Sequence, residues 1–268
     1  HDALPISANE MHQCRAILGA AQWRSYQTGP QHAAKLSHLQ SLLPRGDRTT
    51  LKDINKFVRE IYHQKDEKVS VFDLKAEKDD DIIAVGWSDA ALANRVDLSS
   101  TGGFVIGFAH RKMLDGVQGP VSLVSWSTHK LRRVCRSSLA AEAQALAECE
   151  AELFLVRALW QELQGAELDL ENPWNTTKKT PGVLVIDAKA LYDTLRQQDM
   201  PNLSSKEKHT ALEVMGLSQH LVEQETVLRW CNSDQQLSDG MTKISAAEKI
   251  SKFVRSGQRW NLLFDESF

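Results

Sequence analysis

Ile82-Ile83-Ala84-Val85-Gly86-Trp87-Ser88-Asp89 decides how the rest of this chain is read. The run Ile82 to Trp87 is apolar and short, which suits a strand better than a helix. It runs straight into a carboxylate. Two more runs of the same kind follow, Gly102 to Ala109 after the turn-like Ser99-Ser100-Thr101, and Val121 to Ser127. Three strands at this spacing with no helix between them predict an antiparallel meander.

Beyond the meander the period changes. Leu139, Ala143, Leu146, Cys149, Leu153, Val156, Leu159 and Leu163 make one helical stripe, so a long helix is expected over Ser138 to Leu163, capped by Ser137 or Ser138. After a polar loop with Pro173 and Pro181, Val183 to Ile186 reads as a fourth strand leading into a helix near Ala188 to Arg196. A helix over Ala211 to Glu223, a fifth strand over Val227 to Cys231 and a final helix from near Gln236 complete the order β-β-β-α-β-α-α-β-α. That order predicts an α/β fold with a mixed five-stranded sheet flanked by helices.

Toward the N-terminus the pattern is helical from Ser7 to His63. Met11, Ile17, Leu18 and Ala21, then Leu36, Leu39, Leu42 and Leu43, then Leu51, Ile54, Phe57 and Ile61 give three short helices, the third capped by Thr50 with Asp53 three residues on. Between this segment and the strands, charged flanks around Val69 to Leu74 suggest a linker holding one short strand. The expected division is 1–64 helical segment, 65–81 linker, 82–246 α/β domain and 247–268 C-terminal tail.

The 268 residues are 42% hydrophobic and 25% charged, an ordinary globular composition. With a formal net charge of -3, any contact with phosphates must come from a local patch. Cys14, Cys135, Cys149 and Cys231 form no C-x-x-C pair, so neither a zinc site nor a disulfide framework is expected. No apolar run approaches the ~20 residues of a membrane span. His1 opens the chain in a polar stretch, which reads as a piece of something longer.

Four acids stand out by position. Asp89 follows the first strand, Glu142 lies one turn into the long helix, Asp187 ends the fourth strand and Asp239 opens the last helix. Each sits at an element end, where a sheet-based fold presents ligands to a crevice. Taken singly, each also reads as a cap, a turn residue or a solvated charge. Converging, they would repel one another and their pKa values would rise. A hard divalent cation resolves that conflict, and two magnesium ions about 4 Å apart can promote phosphodiester cleavage.

Six segments carry a resemblance. They are Trp87-Ser88-Asp89-Ala90, Ser99-Ser100-Thr101-Gly102-Gly103-Phe104-Val105, Val124-Ser125-Trp126-Ser127-Thr128-His129-Lys130, Arg136-Ser137-Ser138-Leu139-Ala140-Ala141-Glu142-Ala143, Val185-Ile186-Asp187-Ala188-Lys189-Ala190-Leu191 and Gln236-Leu237-Ser238-Asp239-Gly240-Met241-Thr242-Lys243. In order and spacing they resemble the ribonuclease H domain of Ty1/copia-type retrotransposon Pol polyproteins. More weakly, Cys14-Arg15-Ala16-Ile17-Leu18-Gly19-Ala20 is similar to the connection segment of the reverse transcriptase in such polyproteins. The resemblance implies a ribonuclease H-like fold and cleavage of the RNA strand of RNA–DNA hybrids. It implies catalytic and metal-binding roles for Asp89, Glu142, Asp187 and Asp239 with two Mg2+ ions, or Mn2+. It further implies a polymerase part of the same polyprotein as partner, no membrane, and a cytoplasmic retroelement particle or the nucleus as location. The family's Asn after the third acid is replaced by Ala188, and its Lys-His-Ile-Asp segment reads here Lys208-His209-Thr210-Ala211.

Other residues support the nucleic-acid reading. Lys130, Arg132, Arg133 and Arg136 form the densest basic stretch and lead to the helix bearing Glu142, where they can hold a phosphate backbone or simply be solvated. Ser127 and Thr128 can reach 2′-hydroxyls. Trp126 either stacks on a base or is half-buried in the sheet. His209, in a polar loop, matches the histidine that assists product release in ribonucleases H. Gly102-Gly103 marks a turn or bulge more readily than a phosphate loop. Two alternatives stand beside the nuclease: a decayed or domesticated nucleic-acid-binding remnant, and a sugar-kinase-like ATPase, for which the second phosphate loop and the duplicated domain are missing.

Overall fold

The computed structural model describes residues 4–74, 81–197 and 208–263. Residues 1–3, 75–80 at the charged end of the expected linker, 198–207, and 264–268 at the end of the expected tail lie outside the described residues.

The meander forms as expected. β1 (Ile82–Ala91) pairs antiparallel with β2 (Thr101–His110), which pairs antiparallel with β3 (Gly119–Lys130). β4 (Gly182–Ile186) adds parallel to the other edge of β1, and β5 (Thr226–Trp230) adds parallel to β4. β1 is therefore central and buried along nearly its whole length, which is why its sequence is almost continuously apolar. A sixth strand corrects the expected five. β6 (Arg259–Trp260) pairs with the start of β3, and the sheet runs β5-β4-β1-β2-β3-β6.

The long helix, α4 (Ser138–Leu163), has the expected bounds and is capped by the Ser137 hydroxyl, which accepts from the Ala140 N–H at 3.2 Å. Together with α6 (Lys189–Arg196) and α7 (Lys208–Glu223) it covers one face of the sheet, burying Ala84, Ile106, Leu146, Leu153, Leu184 and Leu191. A single-turn α5 (Trp174–Thr177) precedes β4. Where β4 begins, the fully buried Arg157 of α4 donates to the Thr180 and Gln224 carbonyls and the Thr226 hydroxyl at 2.8–3.0 Å, tying helix to sheet.

The other face carries Ile83, Val85, Trp87, Val105, Met113 and Leu123. It is covered by what the sequence reading treated as one final helix and a tail. Lys243 takes an extended conformation (φ −120°, ψ 121°), so the helix breaks into α8 (Asp239–Thr242) and α9 (Ala247–Arg255). α9 buries Ile250, Phe253 and Val254 at helical spacing against this face, which makes the segment part of the core.

The N-terminal segment is three helices with a core of their own, α1 (Ala8–Thr28), α2 (Ala33–Leu42) and α3 (Arg48–His63), joined through Leu18, Leu36, Leu39, Ile54 and Phe57. The cap of α3 is Asp47. Its carboxylate accepts from the Thr50 N–H at 2.8 Å, and Thr50 returns the bond to the Asp47 N–H at 3.3 Å. Thr50 is thus the third residue of a capping box, because Asp47 bonds both its N–H and its hydroxyl. The segment docks on the sheet: Ala33 joins the face core, the Trp126 Nε1–H donates to the Ser25 carbonyl at 2.8 Å, and Arg95 bonds Ser37. Trp126 is buried and therefore does not stack on a ligand. The short strand expected at Val69 to Leu74 is not formed. Its backbone is held by side chains instead: the Ser70 N–H and carbonyl by the Gln258 amide, the Phe72 N–H by the Ser122 hydroxyl.

His32 lies between these layers with 1% of its surface exposed and both ring nitrogens buried and without a hydrogen-bond partner among the described residues. Burial pushes its pKa down to about 4. The unfolded chain takes up this proton near pH 6.5 and the folded chain only near 4, so stability falls as pH drops through that window. Denaturant unfolding at pH 7 and pH 5 should show about 2 kcal/mol lost through this group. His32→Phe should remove that part of the pH dependence; an identical dependence in the variant would refute the assignment.

Candidate metal centre

β1 and β4 run parallel with Trp87 beside Val185, so the two chains deliver Asp89 and Asp187 side by side at their carboxyl ends. β1 has β2 on its other flank, so this is the point where the sheet's connections diverge and a crevice opens. Asp239 arrives from the opposite side as the first residue of α8. Its approach depends on Gly103, which pairs with Asp89 across β1 and β2. A Cβ on Gly103 would stand 2.8 Å from the Met241 Cβ and 2.9 Å from the Thr242 Cγ2, so only glycine lets α8 lie this close. The Gly102-Gly103 pair is thus neither a turn nor a phosphate loop; both residues are in β2.

One carboxylate oxygen from each of Asp89, Asp187 and Asp239 lies within 4.8 Å of the other two. Asp89 and Asp239 are buried and Asp187 is half-buried. Glu142, in the first turns of α4, is not part of this group of three. It lines the same cleft of about 280 Å³ with Asp89, Asp187, Ser138 and Lys243.

The electrostatics bear the mark of this crowding. Burial pushes the Asp89 pKa up to about 6, opposed by Lys243 and the Thr242 hydroxyl and reinforced by Asp239 and Asp187. Burial, then Asp89 and Asp187, raise Glu142 well above the usual carboxylate range. Two ammonium groups offset the repulsion. Lys243 Nζ lies 3.2 Å from Asp89 Oδ1 and 2.5 Å from Asp239 Oδ1, and Lys249 Nζ lies 2.8 Å from Asp239 Oδ2. Burial works against the charge on Lys243, but Asp89 and Asp239 outweigh it and hold its pKa above the ordinary lysine value. Thr242 donates its hydroxyl to Asp89 Oδ2, and Ser233 donates to Asp187 Oδ2 at 2.9 Å. An all-carboxylate donor set, with Asp89 and the neighbouring Glu142 pushed up by burial, fits a hard divalent cation, which prefers oxygen ligands and relieves like-charge repulsion.

The sequence reading missed Lys249, Thr242 and Ser233 as partners of the acids. Only Lys243 left a signal, four residues after Asp239 at the spacing that places two side chains on one helical face.

The expected nucleic-acid contacts divide. Arg132 and Arg136 are exposed, and neither forms an ion pair among the described residues. Lys130 is paired with Asp97 at 2.5 Å, and Arg133 with Glu213. Ser127 is half-buried with its hydroxyl 3.1 Å from His129 Nδ1. Thr128 is buried and donates to the Met241 carbonyl at 2.7 Å, which removes it from the surface contacts expected of it. His209 is exposed in the first turn of α7, which begins three residues before the expected Ala211, so the histidine is helical and not in a loop.

No family model matches the chain, and no curated protein matches it. Among solved structures it is similar to a foamy viral protease-reverse transcriptase in complex with an RNA/DNA hybrid, at 11% identity and a TM-score of 0.37, over 77% of this chain and 26% of that one. It is also similar to the native prototype foamy virus protease-reverse transcriptase, at 13% identity and a TM-score of 0.34, over 71% of this chain and 22% of that one. The chain spans about a quarter of the length of these proteins.

Two measurements test the centre. Mn2+ binding by calorimetry should weaken as pH falls through about 6, because protons then compete for Asp89; affinity independent of pH from 7 to 5 would remove Asp89 from the ligand set. Gly103→Ala should push α8 away, cost roughly 1–3 kcal/mol of stability and weaken Mn2+ binding by about tenfold or more, as expected when a ligand's supporting contacts are disturbed. Wild-type affinity in a folded Gly103→Ala protein would show that the close approach does not set the site.

Proposed function

We propose that this chain is a metal-dependent endonuclease of the ribonuclease H type, cleaving the RNA strand of RNA–DNA hybrids as part of a retrotransposon reverse transcriptase. The observation that carries the reading is the gathering of Asp89, Asp187 and Asp239 within 4.8 Å at the carboxyl ends of β1 and β4. Glu142 beside them and the Ty1/copia-like motifs around all four acids support it.

On this reading Asp89, Asp187 and Asp239 would hold Mg2+, with Glu142 completing the set. Bound there, such a cation supplies an activated water and charge neutralisation at the scissile phosphate. The chain itself supplies no nucleophile. Arg132 and Arg136, exposed at the entrance to α4, hold the backbone of the hybrid by charge.

A second reading is a non-catalytic nucleic-acid-binding remnant. It draws on Lys243 and Lys249, which already balance charge on Asp89 and Asp239, and on Ala188 following Asp187. A labelled hybrid and Mg2+ separate the two. Wild type should cut the RNA strand, and Asp89→Asn should reduce cutting to background. Equal cutting by both proteins would refute the site, and binding with no cutting by wild type would select the remnant.

A further inference from the structure

Next to the acidic cleft lies a second one, of about 330 Å³, whose walls come from two parts of the chain. One wall is α2, with Ser37 and His38. The other is the loop after β1, with Asn94 and Arg95, and the floor is Thr242 and Lys243. Lys243 lines both clefts. No carboxylate lines this second cleft.

Arg95 is the cationic group here that retains its charge for a ligand, since Lys243 is already paired with Asp89 and Asp239. Among the described residues the Arg95 guanidinium is bonded to neutral groups: Nη1 donates to the Ser37 hydroxyl at 2.9 Å and the Thr101 hydroxyl at 3.5 Å, and Nη2 to the Ser37 carbonyl at 3.2 Å. Among the described residues no carboxylate stands within ion-pair distance of it. Asp97, the nearest in sequence, is paired with Lys130 at 2.5 Å. The His38 ring makes no hydrogen bond among the described residues and is half-buried. Burial and then the neighbouring Arg95 charge lower the His38 pKa, against a smaller pull from Asp53, so His38 offers a phosphate a neutral N–H donor and not a second charge.

The loop is also fixed in place. Ala93 and Leu98 adopt positive φ (49° and 60°), the Asn94 amide donates to the Thr242 carbonyl at 3.1 Å and accepts from Thr101 at 2.8 Å, and the Ala93 N–H donates to Ser100 at 3.1 Å. Binding there does not require the loop to be ordered first.

The geometry points to a binding site for a backbone phosphate of nucleic acid in this cleft, held by Arg95 and His38 with Asn94 beside them. It rests on the proposed reading of the chain as a nucleic-acid enzyme and deepens it: α2, outside the α/β domain, becomes part of the substrate surface. A fixed guanidinium flanked by amide, imidazole and hydroxyl groups matches a phosphate, which accepts several charge-assisted bonds at once.

The test is metal-free binding of a short fluorescent RNA–DNA hybrid, followed by anisotropy over a range of salt concentrations. Arg95→Gln should weaken binding about fivefold at low salt and reduce the slope of log K against log salt by about one, the signature of one lost phosphate contact. His38→Gln should also weaken binding; its ring bonds nothing among the described residues, so this variant keeps the fold even if Arg95→Gln loosens α2. Unchanged affinity and slope in both variants, or no binding by wild type, overturns the proposal. Cleavage is read separately: Arg95-dependent binding without cleavage supports this site and defeats only the nuclease reading.

Discussion

Three carboxylates crowded at the ends of two parallel strands form an arrangement that the rest of this structure has to support. Unscreened, such a group is unstable, because each charge is desolvated and each repels the others. The fold tolerates it by bringing Lys243 and Lys249 onto Asp89 and Asp239 and by giving Asp187 a hydroxyl from Ser233. Those partners arrive on the chain between β5 and β6. That stretch must therefore pack on the sheet face, and its burial of Met241, Ile250 and Phe253 supplies the hydrophobic energy that holds the charged groups in register.

The packing on that face is tight where it matters chemically. Gly103 admits α8, and Gly240 admits α9, since a Cβ there would stand 2.6 Å from the Ile250 side chain. The two contacts fix α8 from both sides, and with it Asp239, Thr242 and Lys243. The N-terminal helices lean on the same face through Ser25, Ala33 and Ser37. One layer thus joins the acids, the last helices and the helical segment, and a disturbance in any of them reaches the carboxylates through packed atoms.

Legibility in the sequence followed the range of the signal. β1, β2, β3 and α4 are long periodic runs whose burial is set by the next residues along, and each lies where its pattern predicts. The extra strand β6 is two residues long and exists only because β3 offers an edge, so no local pattern announces it. The run Val69 to Leu74 has strand composition, but Gln258 and Ser122 satisfy its polar backbone from far away in sequence. The acids followed the same division. Asp187 follows β4 directly and is legible as a strand end, whereas Asp89, expected just past the first strand, lies inside β1 opposite Gly103 because the β2 pairing carries the strand on to Ala91. Lys249 comes to Asp239 only through the turn after α8, which depends on the extended conformation of Lys243.

The charge balance gives the centre a direction. Asp89, Asp187 and Asp239 carry three negative charges when ionised, and Lys243 and Lys249 bring two positive ones, both directed at Asp89 and Asp239. Among the described residues Asp187 has no cationic partner, and its side chain is the least buried of the three. The residual negative charge therefore sits on the solvent side of the cleft, beside Glu142. A cation at this centre would find Asp187 without an ammonium partner among the described residues, whereas Asp89 and Asp239 are already bonded by Lys243. Lys243 also lines the neighbouring cleft, so the side chain that balances the acids borders the surface where Arg95 and His38 stand.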